Sequence, residues 1–215
     1  MIKVRNLKKS FGELKVLDGI SFDLEEGKVL VVIGPSGTGK STLLRCMNYL
    51  ERPAEGEIEV DHIKVEAKTA KKEEIYKLRS RTAMVFQNYN LFKNKTALEN
   101  IMEPMTSVQR IPKQQAEKKA LEILDAVGLI EKREHYPSQL SGGQQQRIGI
   151  GRAMAVNPRV MLIDEPTSSL DPELVGEVLA LLYDLARNHT TMIIATHEME
   201  FARNIADYII FIEDG

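Results

Sequence analysis

The chain has 215 residues, 43% hydrophobic and 28% charged, with a formal net charge of -2 and a pI near 6.1. That length suits one large domain or a domain with an inserted subdomain, and the basic excess expected of a nucleic-acid binder is missing, so no nucleic-acid partner is expected. Cys46 is the only cysteine, so no internal disulfide can form; the N-terminus lacks the apolar region of a signal peptide; and no apolar run approaches the roughly 20 residues that span a bilayer.

The first fifty residues alternate short strands and turns. In "ISFDL" (20–24), Ile20, Phe22 and Leu24 share one face, the period of two of a half-buried strand. The turn "EEGK" leads into "VLVVI" (29–33), apolar on both faces like a central strand of a covered sheet. "IEV" (58–60) is a further short strand, and "KTAKKEE" (68–74) has the composition of a solvated loop or helix start. More apolar runs follow at 83–86, 160–163, 192–195 and 208–212. Residues 90–155 show no convincing strand. Instead Ala116, Ala120, Leu124 and Val127 mark one face of a helix over 113–127, with Gly128 at the C-cap position. A second helix is predicted over 172–187 from Leu174, Val178, Leu182 and Leu185, with Asp171 as N-cap and Pro172 at the first helical position.

Alternating strands and helices predict an α/β fold with a parallel sheet and right-handed crossovers. The expected organisation is an α/β core of residues 1–89 and 156–215, with a helical subdomain, 90–155, inserted between its halves.

Two stretches look built to meet anions. "GPSGTGKST" (34–42) matches G-x-x-x-x-G-K-[ST] through Gly34, Gly39, Lys40 and Ser41, directly between a buried strand and an apolar helix pattern. Glycines there let the backbone N–H groups of Ser36, Gly37, Thr38 and Gly39 converge on phosphate oxygens. The following helix start adds about half a positive charge. Lys40 supplies a point charge for the β- and γ-phosphates of ATP, Ser41 a hydroxyl for Mg²⁺, and Thr42 a bond on the α-phosphate side. "VMLIDEP" delivers Asp164 and Glu165 to the C-terminal edge of another buried strand, where ligands bind open α/β sheets. Asp164 suits Mg²⁺, and Glu165 suits a general base for an attacking water. The second stretch is "QLSGGQQQR" (139–147), in which a serine and two glycines precede helix formers.

"LSGGQ" (140–144), some twenty residues before a strand ending in Asp-Glu, resembles the signature of the ABC transporter ATPases. The motif order agrees: Gln87 in "MVFQ" matches the Q-loop, "SSLD" (168–171) the D-loop and His197 in "ATHE" the switch histidine. Phe11 in "SFG" matches the aromatic that stacks on adenine, with Val16 against the nucleotide. "YPSQLSGGQQQR", "TALENIM" and "DEPTSSLDPELVGEVL" are similar to the ATPases of bacterial polar amino-acid importers, and the loop "KKEEIYKLRSRTAMVFQNYNLF" most resembles the branch for cystine and related amino acids.

That resemblance implies an ABC-type P-loop fold with an N-terminal antiparallel β-subdomain. It also answers why one chain carries two anion-binding helix starts. Two identical subunits would pack head to tail around ATP, so that Ser141, Gly142, Gly143 and Gln144 of each close on the γ-phosphate held by the other. Gln87 would reach the Mg²⁺ site, and His197 would orient water and phosphate. Segment 87–101 would form a groove for a transmembrane permease, served in turn by an extracytoplasmic solute-binding protein. The protein would lie peripherally on the cytoplasmic face of the membrane. Three departures stand out: Lys93 replaces a frequent proline and predicts a looser permease-facing loop; Gly149 and Gly151 replace alanines and predict a softened signature helix; and family members usually continue past "FIEDG" with a strand and one or two helices.

Overall fold

The computed structural model describes residues 1–213 and 215. In chain order it forms β1 (Ile2–Phe11), β2 (Leu14–Leu24), β3 (Val29–Ile33), α1 (Lys40–Met47), β4 (Glu55–Val60), β5 (Ile63–Glu66), α2 (Lys72–Arg79) and β6 (Thr82–Val85). Then come α3 (Ala97–Glu103), a π-helical turn (Pro104–Val108), α4 (Lys113–Ala126), α5 (Gly142–Ala155), β7 (Val160–Asp164), α6 (Pro172–Arg187), β8 (Met192–Ala195), α7 (Met199–Ile205) and β9 (Tyr208–Phe211). The fold class is α/β, as the alternation of patterns predicts. The chain divides into two compact units: residues 1–84, 159–165 and 184–215, and residues 85–158 and 166–183.

The first unit holds an antiparallel sheet in the order β2-β1-β4-β5, and the second sheet runs β6-β7-β8-β3-β9. Strands β3, β7, β8 and β9 pair in parallel. Their side chains explain the runs of Val, Ile and Leu: β7 and β8 are buried at every position, as expected of strands covered on both faces. Helix α1 packs on β7 and β8, and α7 on β3. One continuous core joins Ile2, Leu24 and Ile58 of the antiparallel sheet to Leu43, Met47 and Leu162. Burial of such side chains stabilises by about 1.5–3 kcal/mol each.

Strand β1 escapes a simple alternation reading. Its buried residues are Ile2, Val4 and Leu7, and the step from even to odd numbering falls at Asn6, in the left-handed region at φ 45°. The pairing register with β2 shifts there, and Ser21 Oγ accepts the Asn6 N–H at 2.8 Å. A bulge at a polar residue thus splits the apolar pattern. The 68–74 stretch proves to contain a helix start: α2 begins at Lys72, and Glu74 accepts from the Lys71 N–H at 3.0 Å.

The second unit is helical between residues 90 and 155, with α3, α4 and α5 packed on one another. Helix α4 buries Ala116, Ala120 and Leu124 and ends at Gly128, φ 69°. The loop ahead of α3 is held by one buried side chain. Asn100 accepts from the Phe92 N–H at 2.8 Å and donates to the carbonyls of Phe92, Lys95 and Thr96. Thr96 and Glu99 cap α3 reciprocally. These bonds correct the expectation of a loose loop at Lys93: the segment is pinned from within. Helix α5 is likewise unbroken across Gly149 and Gly151. A Cβ at Gly151 would lie 3.0 Å from Ile123 and 3.2 Å from Ile101, so this glycine is the close-approach point of three helices and not merely a soft spot.

Candidate functional site

The loop after β3 closes into the start of α1 because of two glycines. Gly34 has φ 149°, and a Cβ there would fall 2.0 Å from the Ile212 carbonyl oxygen. Gly39, the residue before α1, sits at φ 104°, and its Cβ would lie 2.9 Å from the Val16 carbonyl oxygen. No other residue type fits either place. The same contact puts Val16 against the loop. Ser36 and Gly37 are exposed at the loop tip, and Ser41 and Thr42 are half-buried on the first turn of α1. Thr38 Oγ1 donates to the Pro35 carbonyl at 2.9 Å and braces the turn.

Lys40 is 6% exposed, and its Nζ donates to the carbonyl oxygens of Gly34 and Pro35 at 2.9 Å each. The ammonium therefore lies inside the curve of the loop, 3.7 Å from Glu165 Oε1. Ser41 Oγ donates to Asp164 Oδ1 at 2.6 Å. Asp164 is 1% exposed; burial pushes its carboxyl above the usual range, against the Ser41 hydrogen bond and the Arg45 charge, which pull it down. Mg²⁺ prefers hard oxygen donors and takes few of them from protein, and this hydroxyl–carboxylate pair is such a set. Glu165 lies in the left-handed region at φ 46°, an unusual backbone for a non-glycine residue. Its Oε2 is 2.6 Å from His197 Nδ1, so β7 and β8 bring the acidic residue and the histidine together at one sheet edge.

Phe11 is 47% exposed at the turn between β1 and β2, with Lys9 Nζ 4.6 Å from its ring centroid. Gln87 is exposed and belongs to the second unit, as do Ser141–Gln144. There Ser141 N-caps α5: its Oγ accepts from the Gln144 N–H at 3.2 Å, and Gln144 Oε1 accepts from the Ser141 N–H at 3.0 Å. Ser141 remains exposed, and a Cβ at Gly142 would meet the Tyr89 hydroxyl at 2.7 Å.

Two polar groups near these residues are missing from the motif reading. Arg45, one turn beyond Ser41, places a guanidinium nitrogen 3.7 Å from Asp164; the i, i+4 spacing is the signal that could have found it. Tyr89, two residues past Gln87, joins three parts of the second unit, and no local pattern marks it.

A family model for ABC transporters matches residues 17–168. The chain is 56% identical over 215 residues to the "Probable amino-acid import ATP-binding protein YxeO" of Bacillus subtilis strain 168, covering all of this chain and 86% of that protein. It is 52% identical to the L-cystine import ATP-binding protein TcyC of the same strain, covering 87% of it, and 50% identical to the glutamine transport ATP-binding protein GlnQ of Escherichia coli K12, covering 88%. Among solved structures, a dimeric post-hydrolysis state of the ATP-binding cassette MJ0796 bound to ADP and Pi superposes with a TM-score of 0.87 at 36% identity, over 100% of this chain and 95% of that one. With its P-loop, its LSGGQ helix start and its Asp-Glu strand end in this order, the chain belongs to the ABC transporter family of ATP-binding proteins.

Proposed function

We propose that this chain is the ATP-hydrolysing, energy-coupling subunit of an amino-acid importer. The observation that carries the reading is the convergence of five side chains at one sheet edge: Ser41 lies 2.6 Å from Asp164, and Glu165 lies 3.7 Å from Lys40 and 2.6 Å from His197. The names of the relatives, which import amino acids, L-cystine or glutamine, support the transport class. Relatives named for L-cystine, arginine and glutamine are about equally similar, at 50–52% identity, so the likeness supports amino acids as the solute class.

In this reading the loop 34–39 offers backbone N–H groups to the phosphates, and Lys40 exchanges its carbonyl partners for β- and γ-phosphate oxygens. Ser41, Asp164 and, by the family resemblance, Gln87 would hold Mg²⁺, which would supply charge neutralisation on the phosphates. Phe11 stacks on the adenine, with Val16 beneath, and Thr42 bonds the α-phosphate. Glu165 takes the proton of the attacking water, and His197, already 2.6 Å from that carboxylate, orients it. A second copy of the chain contributes Ser141, Gly142, Gly143 and Gln144 to the γ-phosphate. The dimeric MJ0796 cassettes support such pairing.

Residues 90–155 then act as the signature subdomain between core segments 1–89 and 156–215. Segment 87–101 meets a permease that receives its solute from an extracytoplasmic binding protein. Among the described residues, no helix is long and apolar enough to cross a membrane. In this reading the protein attaches to the cytoplasmic face through that permease. A cavity of about 450 Å³ beside α3 is lined by Lys95, Thr96, Leu98 and Glu99 of segment 87–101 and by residues beyond it, Met102 and Lys113 among them.

The test is steady-state hydrolysis of Mg-ATP by the wild type and by Glu165→Gln. General-base assistance is worth about 10²–10⁴-fold, so the variant should lose a factor in that range while still binding nucleotide. Equal rates would remove Glu165 from the base role.

A further inference from the structure

Tyr89 occupies an unusual position. It and Asn90 are consecutive non-glycine residues in the left-handed region, at φ 57° and 49°. Each costs conformational energy that the surroundings must offset. The surroundings do so at both ends of the residue. Arg152, in the body of α5, donates to the Asn90 carbonyl at 2.7 Å and to the Tyr89 carbonyl at 3.0 Å. The phenol hydroxyl donates to the Ser169 carbonyl at 3.0 Å, eighty residues away in sequence. That same hydroxyl is the nearest atom to the missing Cβ of Gly142, with Leu170 next at 3.1 Å. Three segments therefore meet at one oxygen: the start of the loop 88–96, the first residue of the LSGGQ helix, and the Ser169–Leu170 turn.

The hydroxyl is a dependable donor. Burial, and then the negative charge of Asp171, raise its pKa above the ordinary tyrosine value, so it stays protonated near neutral pH. Beyond the turn, the Asn100 bonds hold residues 92–96 against α3. The segment from Tyr89 to Thr96 is thus tied at both ends and offers no slack joint.

We propose that Tyr89 is a positioning residue for ATP hydrolysis, whose hydroxyl holds the Ser169 carbonyl and the Gly142 helix start in the arrangement that closes on the γ-phosphate. The inference rests on the functional reading above and adds a residue to it. Displacement of the permease-facing loop reaches the Ser169–Leu170 turn through the phenol bond and the LSGGQ helix through the Arg152 bonds. Tyr89 touches no substrate; it acts through the backbone of the two segments it joins.

The test uses the full chain. ATP affinity, KM and kcat are measured for wild type, Tyr89→Phe, Gly142→Ala and the double variant, at a temperature where all four are fully folded. Phenylalanine keeps the ring and removes only the hydroxyl. Loss of one ordinary hydrogen bond from the reacting arrangement lowers kcat roughly three- to tenfold. ATP affinity should hold within about twofold, because the P-loop is left intact; a merely structural role would lower active protein without splitting kcat from affinity. The double variant gives an independent reading. A Cβ at position 142 clashes with the hydroxyl at 2.7 Å but would lie 3.6 Å from the ring carbon that carries it. Gly142→Ala should therefore cost less in the Y89F background than in the wild type. An active wild type whose Y89F variant keeps full kcat, or strictly multiplicative costs in the double variant, would overturn this inference alone. A wild type without ATPase activity would overturn the functional reading and this inference with it.

Discussion

Glu165 shows how chemistry and backbone compete at a single residue. A left-handed φ of 46° costs on the order of 1–3 kcal/mol for such a residue. The cost persists because that turn aims the carboxylate at both Lys40 and His197. Asp164, one residue earlier, has ordinary strand geometry and is held by Ser41 and Arg45. Adjacent carboxylates therefore face different partners, which allows one to serve a cation and the other a water. Cys46 stands at the opposite extreme. It is fully buried on α1, and burial pushes its thiol up to about 12. A thiol reagent should leave it unlabelled in native protein at pH 8 and modify it only after denaturant is added; rapid native labelling would contradict the packing of α1. The motif residues at this scale were legible because phosphate chemistry demands particular side chains at particular spacings. Arg45, Tyr89 and Asn100 were not, because what they do depends on partners that only folding brings near.

Among the elements, α5 carries the sharpest contrast. Gly149 and Gly151 sit two residues apart on one buried helix, yet a Cβ at Gly149 would meet only the Tyr89 carbonyl at 3.6 Å, an ordinary contact. Gly149→Ala should therefore stabilise the protein by about 0.5–1 kcal/mol, the helix preference of alanine. Gly151→Ala should give no such gain, and is expected to lower the melting temperature by pushing Ile123 and Ile101 apart. Thermal unfolding of both variants decides it; equal shifts would mean that α5 is not packed as described. Strand β9 offers a pH-dependent case. Asp207, just ahead of it, accepts from the Val29 N–H at 2.8 Å and from Lys28 at 2.9 Å. Burial alone would raise its pKa, but these bonds outweigh it and hold the carboxyl below the usual range. The sign follows: the stabilisation is present above the ordinary carboxylate pKa of about 4 and is lost as pH falls through the depressed native value. Asp207→Asn should be less stable than wild type at pH 7, and the gap should close as pH falls below the ordinary carboxylate value in a pH series of melting temperatures.

Elements with a strong apolar period were legible, and the weak ones were not. The runs 29–33 and 192–195 match β3 and β8 to the residue, and 172–187 matches α6. Strand β1 was hidden, since five of its ten residues are Lys, Arg or Asn and its alternation breaks at the Asn6 bulge. The four-residue β5, Ile63–Glu66, does alternate apolar and charged residues, but so short a run does not stand out.

At the scale of the whole molecule, the two glycine-rich helix starts lie in different compact units, the P-loop in the first and LSGGQ in the second. Each is internally complete as a local structure: Gly39 opens α1, and Ser141 with Gln144 caps α5. A single copy of the chain thus carries a P-loop in one unit and an exposed LSGGQ helix start in the other, and the proposed dimer would give that second start a purpose. The family was legible because the motifs come in a fixed order across the whole chain. The proposed dimer is legible only through that resemblance, since no periodicity or composition encodes a symmetric partner.

The composite site is the central claim, and sedimentation of Glu165→Gln protein with Mg-ATP, with ADP and without nucleotide tests it most directly. The substitution preserves binding and slows hydrolysis, so the account predicts a dimer with ATP and monomers in the other two conditions. Monomers under all three conditions, with ATP shown to be bound, would contradict it.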